Sequence, residues 1–218
     1  MMSYIKNVLI EYKSFFYLYL LFLVAGGVAL LVYSKEESFF LINGNYASWA
    51  DSFFKGVTQL GDGLFFVLVT LALAVYKYRL SIIGLVIFLI SSLLAQSLKH
   101  TLFRSFLRPF GVFGTDERMH VINGITLHTG NSFPSGHTTT AFALALFLTM
   151  AFNSRRNGWL YAIVAMLVGY SRVYLGQHFP VDVYFGSILG VLSCLLIYAW
   201  LDEPLKRKFG DKGLLSKK

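Results

Sequence analysis

The sequence predicts an all-α polytopic membrane protein with six transmembrane helices and both termini in the cytoplasm. Three observations predict it. The 218 residues are 56% hydrophobic and 14% charged, with a mean hydropathy of +0.62, whereas a soluble domain carries about 25% charged and 45–50% apolar residues. The apolar residues gather in six stretches separated by charged segments. The Lys and Arg residues divide unevenly between the two sets of segments that six spans would leave on either side. The same composition excludes a disordered chain, which is poor in aromatics and rich in charge. A disulfide scaffold is excluded by Cys194, which has no second cysteine to pair with.

The elements follow in order. Residues 1–14 form an N-terminal cytoplasmic or interfacial segment. The first span, Phe15 to Tyr33, is free of charge and close to the roughly 20 residues a bilayer requires. It is longer than the about 7–15 apolar residues of a signal peptide and no small-residue cleavage site follows, so it is expected to remain as an anchor. The first outer loop, Ser34 to Asp62, contains the run DSFFKGVTQLGDG, which reads as a short amphipathic helix ending at Gly61 and Gly63 and lying flat in the interface. The second span, Gly63 to Tyr76, is the weakest, because it is short and Asp62 stands at its start. The third runs from Leu80 to Leu98, and the second outer loop from Lys99 to Ser135. The fourth and fifth spans, Thr138 to Asn153 and Asn157 to Ser171, reach full length only with polar flanking residues. The sixth runs from Val183 to Leu201. Residues 202–218 are a basic tail expected to be solvated and to touch anionic headgroups. The whole chain, 1–218, is read as one membrane-embedded domain.

With the N-terminus inside, the inner segments hold twelve Lys and Arg residues and the outer segments seven. Most of the formal charge of +8 is therefore an orientation signal. No nucleic-acid partner is expected; the partner is the bilayer. The oligomeric state is left open by the sequence. The outer loops are long and the inner turns tiny, so chemistry carried by loops on a rigid scaffold belongs at the outer face.

Ionisable residues at span ends suggest function. Lys99 closes the third span, and Arg108-Pro109 follows in the second outer loop. Pro134-Ser135-Gly136-His137 opens the fourth span, Ser171-Arg172 closes the fifth, and His178 and Asp182 bracket the turn into the sixth. The topology gathers all of them at one face. A phosphate dianion requires several cations or N–H donors. Lys99, Arg108 and Arg172 supply charge, Arg bidentately. The start of the fourth span supplies a helix N-terminus, and Gly136 permits close backbone approach. Two histidines remain for proton and covalent work, and Asp182, four residues after His178, could fix its tautomer. These residue types suit phosphoryl transfer through a phosphohistidine. The sequence shows no HExxH, Cys–His or carboxylate cluster, so neither metal nor other cofactor is expected.

Taken singly, each residue has a plainer role: Lys99 as a snorkelling interface lysine, Arg172 as a helix C-cap, Asp182 as a partner of the sixth helix's N-terminus. Arg104 and Arg118 read as headgroup anchors. Gln96, Ser91, Ser92 and Ser97 read as interhelical hydrogen-bonders, and Gly26-Gly27, Gly186 and Gly190 as close-packing sites. Asp116, Glu117, His120 and His128 read as solvated loop residues.

The joint spacing resembles the type 2 phosphatidic acid phosphatase superfamily of integral membrane lipid phosphatases, which also includes vanadium haloperoxidases. Pro134 to His137 matches the family's Pro-Ser-Gly-His motif. Ser171, Arg172, His178 and Asp182 match its Ser-Arg, five residues, His, three residues, Asp motif. The remaining motif, Lys, six residues, Arg-Pro, is met with a departure: eight residues separate Lys99 from Arg108-Pro109. Lys99 is therefore the chosen first ligand, with Arg104 as an additional or replacement candidate. The resemblance implies that His178 attacks phosphorus, Asp182 orients it, and His137 protonates the leaving oxygen and then activates water. It implies that Lys99, Arg108, Arg172 and the amides near Ser135 and Gly136 hold the phosphate oxygens, with Ser171 as a further candidate. The activity implied is metal-independent hydrolysis of a lipid phosphate: undecaprenyl diphosphate, a lipid A phosphate, phosphatidylglycerol phosphate or phosphatidic acid. The competing readings are a lipid phosphotransferase using the same intermediate and a non-catalytic transporter. The expected location is a bacterial inner membrane, with the site facing the periplasm.

Overall fold

The computed structural model describes residues 2–215, and among them every element is helical. In chain order these are α1 (Met2–Glu11), α2 (Lys13–Val32), α3 (Lys35–Asn43), α4 (Ser48–Thr58), a 3₁₀ turn (Gln59–Gly61), α5 (Gly63–Tyr76), α6 (Tyr78–His100), α7 (Pro109–Phe113), α8 (Gly136–Ala151), α9 (Gly158–Tyr174) and α10 (Pro180–Phe209). The six apolar stretches of the sequence form the bodies of six helices, α2, α5, α6, α8, α9 and α10, with Tyr33, Phe152, Asn153 and Asn157 falling just outside them. By length and composition α2, α6 and α10 suffice to cross a membrane. A fourth crossing is formed if α4 with its 3₁₀ turn and α5, bent by 55°, count as one span.

The centre of the bundle is α8. Every residue from Thr138 to Phe147 is buried, as are Thr149 and Met150. A helix enclosed on all sides needs no polar face. Its neighbours α6, α9 and α10 surround it. The contact with α10 is close because Gly186 and Gly190 have no side chains. A Cβ at Gly186 would lie 2.8 Å from the Ser135 carbonyl oxygen, and one at Gly190 2.3 Å from that of Thr139. The close-packing reading of these two glycines holds, and it brings the start of α10 against the start of α8. By contrast α2 buries only Phe15 and Tyr19. Tyr17, Leu20, Leu21, Val24, Val28 and Leu31 project outward, a surface suited to lipid rather than water.

Two segments differ from expectation. The sequence places a free basic tail from residue 202 onward. Instead α10 continues to Phe209, and the chain then folds back on the α5–α6 turn. Asp202 pairs with Arg79, Asp211 lies 2.8 Å from Lys77, and Tyr78 N–H donates to the Lys212 carbonyl at 2.9 Å. Two acidic residues within the basic run meet the cations of the α5–α6 turn, and this holds the segment down. Lys217 and Lys218, which count towards the inner charge, lie outside the described residues. The amphipathic helix of the first outer loop starts earlier, at Ser48, and buries Ala50, Phe54 and Thr58. It packs on α9 and so carries one of the supports of the site.

Candidate active site

Three helix ends and two loops surround a cavity of about 560 Å³, whose walls include Lys99, Arg108, Gly136, His137, Arg172 and His178. Lys99 ends α6, Arg108 precedes α7, Gly136 and His137 open α8, Arg172 ends α9, and His178 lies in the turn into α10.

The best-enclosed part is the His178–Asp182 pair. His178 is 2% exposed and Asp182 1%. The Asp182 Oδ2 atom lies 3.3 Å from His178 Nδ1, accepts the Phe179 N–H at 3.0 Å and accepts the Ser132 hydroxyl. A carboxylate acceptor places the imidazole proton on Nδ1 and leaves a lone pair on Nε2. The ring is fixed from its own backbone as well, since His178 N–H donates to the Arg172 carbonyl at 3.1 Å. Burial, and after it the positive charges of Arg108, Lys99 and Arg172, push His178 well below the usual histidine range. Its imidazole is therefore neutral at pH 7.

The three cations are held by neutral partners. Arg172 donates from Nη1 to the Thr58 hydroxyl at 2.7 Å, while its Nε is buried with no protein partner. Arg108 donates to the Gly130 carbonyl at 3.0 Å and to Gln177 Oε1 at 3.2 Å. Gln177 is held in turn by the Thr126 carbonyl at 3.1 Å. Lys99 donates to the Asn131 carbonyl at 3.2 Å and is 5% exposed, so it does not snorkel. Among the described residues, no carboxylate lies within ion-pair distance of any of the three. Their charge remains available to an anion, for which buried unpaired cations are a poor resting arrangement and a good receptor.

The start of α8 divides its donors. Ser135 N–H is taken by the Asp182 carbonyl at 3.0 Å. Its hydroxyl accepts Thr138 N–H at 3.4 Å and the Thr138 hydroxyl at 2.9 Å. Ser135 is thus the N-cap and does not line the cavity. The first intrahelical bond is Thr139 N–H to Ser135, at 3.0 Å. The N–H groups of Gly136 and His137 are the remaining orphan donors of the first turn. Ser171 donates within its own helix to Val168 at 2.6 Å and is fully buried, so it too stands behind the cavity. Arg104 is exposed and lies outside the cavity wall. Of the two cations considered for the first ligand, Lys99 is the one brought to the site.

Sequence reasoning missed several supports. Thr58 holds Arg172 from 114 residues away in the chain, a distance no local pattern reports. Gln177 offered a signal, since it immediately precedes His178. Gln96 lines the cavity, as does His128. His120 is not a solvated loop residue: its ring stacks on Tyr46 at 3.8 Å and its Nε2 lies 2.9 Å from Asp51. Arg172 does not cap α9 with its side chain; its guanidinium turns instead to Thr58.

Comparison with known proteins decides the family. Residues 79–205 match the PAP2 superfamily. The chain belongs to the PAP2 superfamily. Among PAP2 relatives it is similar to the bacitracin transport permease protein BcrC of Bacillus licheniformis, 46% identical over 68 residues, covering 31% of this chain and 32% of that one. It is similar to the undecaprenyl-diphosphatase BcrC of Bacillus subtilis strain 168, 37% identical over 93 residues, covering 42% and 46%. The match thus spans less than half the length of either BcrC protein. With phosphatidylglycerophosphatase B of the same B. subtilis strain it is 32% identical over 174 residues, covering 73% and 78%. A solved PAP2 structure, the transmembrane phosphatidylglycerolphosphate phosphatase from B. subtilis, superposes with a TM-score of 0.61 at 26% identity, over 90% of this chain and 98% of that one.

Proposed function

We propose that this PAP2 protein is a membrane lipid phosphatase that works through a phosphohistidine on His178. The observation that carries the reading is the convergence, around one cavity, of the His178–Asp182 pair, His137 and three cations without carboxylate partners. In the proposed first step His178 Nε2 forms a bond to phosphorus as the bond to the lipid oxygen breaks. His137 passes a proton to that oxygen, and the lipid alcohol or lipid monophosphate departs. In the second step His137 takes a proton from water, water attacks phosphorus, the P–N bond breaks and inorganic phosphate leaves. Asp182 remains ionised throughout and stabilises the imidazolium that His178 becomes. Arg172, Arg108 and Lys99, with the Gly136 and His137 N–H groups, hold the non-bridging oxygens.

The substrate class is an amphiphilic lipid phosphate or diphosphate. Undecaprenyl diphosphate and phosphatidylglycerol phosphate lead the candidates, on the names of the BcrC and phosphatidylglycerophosphatase relatives; lipid A phosphates and phosphatidic acid complete the set. The proposed topology has six spans, both termini in the cytoplasm of a bacterial inner membrane, and the cavity facing outward. It is supported by the apolar outer face of α2 and by the Lys and Arg bias.

The test is phosphate release by the detergent-solubilised protein, in EDTA, across these four lipids, with His178→Ala alongside. Release that persists in EDTA and is absent from the variant supports the route. Label from a terminal ³²P-phosphate should be trapped on the wild-type chain, in acid-labile and alkali-stable form, and not on the variant. Equal release by both proteins overturns the mechanism.

A further inference from the structure

Asp62, whose charge marks the second span as the weakest in the sequence, faces His137 across the bend between α4 and α5. Its Oδ2 atom lies 3.9 Å from His137 Nε2. Its Oδ1 accepts the Leu64 N–H at 2.7 Å and so caps α5. The position follows from close packing at the preceding residue. A Cβ at Gly61 would lie 2.8 Å from the His137 carbonyl oxygen and 2.6 Å from Val168 Cγ1. The Gly61 carbonyl also accepts the Thr140 hydroxyl. The bend is therefore pressed onto the first turn of α8, and the residue after Gly61 is delivered to His137.

The charges around His137 give this contact a chemical consequence. Lys99 from α6, Arg108 from the second outer loop and Arg172 from α9 line the same cavity, and Lys55 of α4 and His128 lie on its wall. Burial, and after it the charges of Arg172, Arg108 and Lys99, disfavour a protonated imidazole and push His137 well below the usual histidine range. Asp182 is engaged by His178, Ser132 and Phe179. Among the described residues of the cavity wall, Asp62 is the carboxylate that faces His137. A leaving-group acid must carry its proton when the substrate binds.

We propose that Asp62 is a positioning residue that orients His137 and opposes the cations that disfavour its protonated form. The proposal rests on the reading of His137 as the leaving-group acid. As His178 Nε2 bonds to phosphorus and the bond to the lipid oxygen breaks, the proton moves from His137 to that oxygen. The side chains of His137 and Asp62 are 34% and 45% exposed. A bound lipid that covers them strengthens their attraction by removing water.

The test uses the full-length protein in detergent and the variant Asp62→Asn. Asparagine caps helices as well as aspartate, so the substitution removes the charge and keeps the Leu64 bond. The measurement is kcat/KM against pH on phosphatidic acid, whose alkoxide must be protonated, and on p-nitrophenyl phosphate, whose leaving group needs no proton. For phosphatidic acid the variant should lose about 10–100-fold at pH 7.5, and its alkaline limb should move down by about one pH unit. For p-nitrophenyl phosphate the loss should stay below about threefold. Asp62→Glu should recover most of the difference. An unmoved alkaline limb, or an equal loss on both substrates, overturns the role of Asp62. His137→Gln, measured in parallel, tests the underlying reading. If it too spares p-nitrophenyl phosphate, the acid role stands whatever Asp62 does; if it loses equally on both, the acid role fails and the proposal with it.

Discussion

The two histidines of the cavity differ in how they are held. The side chain of His178 is 2% exposed, bonded to a carboxylate and tied to the Arg172 carbonyl through its own N–H. The side chain of His137 is 34% exposed and has one carboxylate at 3.9 Å. A nucleophile gains from enclosure, because a fixed neutral imidazole is aimed before the substrate arrives. A group that donates and then accepts a proton gains from reach, because it must meet both a leaving oxygen and a water. One wall of the cavity is enclosed and bonded in place, and the other is more exposed.

The largest expected effects break the enclosed wall. His178→Ala should leave no measurable turnover. Asp182→Asn should cost about 10³–10⁴ in kcat, as the wrong tautomer is then favoured, while the protein still unfolds cooperatively in a thermal scan. Arg172→Lys should cost about 10²–10³, since a point charge does not replace a planar fork. Thr58→Ala should cost about tenfold by releasing that fork, in kcat more than in KM. Steady-state phosphate release separates these. Lys99 and Arg104 form a sharper pair. Lys99→Met should cost about 10²-fold, and Arg104→Met should stay within about twofold of wild type, because its exposed side chain lies outside the cavity wall. A large loss at Arg104 would transfer the first-ligand role to it.

Smaller effects concern packing and protons. Gly190→Ala places a methyl group 2.3 Å from a backbone oxygen of α8, and should destabilise by about 1–3 kcal/mol through overpacking; a lower Tm in detergent would report it. For His178 the native pKa lies below the unfolded value. Below about pH 6.5 the unfolded chain therefore binds the proton and the native chain does not, so stability is lost as pH falls, by up to about 1.4 kcal/mol per pH unit. The Tm of wild type should drop between about pH 7 and 5.5 more steeply than that of His178→Gln. Parallel slopes would show that His178 titrates normally.

Much of this was legible in the sequence. The helices α2, α5, α6, α8, α9 and α10 appear as runs of apolar residues, because a segment that meets lipid or buried protein on every side must be apolar throughout. The Gly136-His137, Arg172 and His178-Asp182 positions were legible because they stand at the ends of apolar stretches and match the spacing of the family motifs, with three residues between His178 and Asp182. Gly186 and Gly190 could be read as packing sites because only glycine lets two helices approach so closely.

Other features were decided by tertiary structure, and the physical reason is the same in each. Ser135 belongs to the motif, yet its N–H donates to the Asp182 carbonyl and its hydroxyl accepts from Thr138, so it builds the helix start instead of holding an anion. Thr58 meets Arg172, and Asp62 meets His137, only because α4 and α5 bend around the end of α8. His120 reads as a polar loop residue until the fold places Tyr46 and Asp51 against it. The sequence by itself determined which residue types are available for the proposed chemistry, since composition and local spacing act along the chain. The fold alone decided which of them are free to use it, because the competition for each donor and charge is settled by neighbours that are distant in sequence.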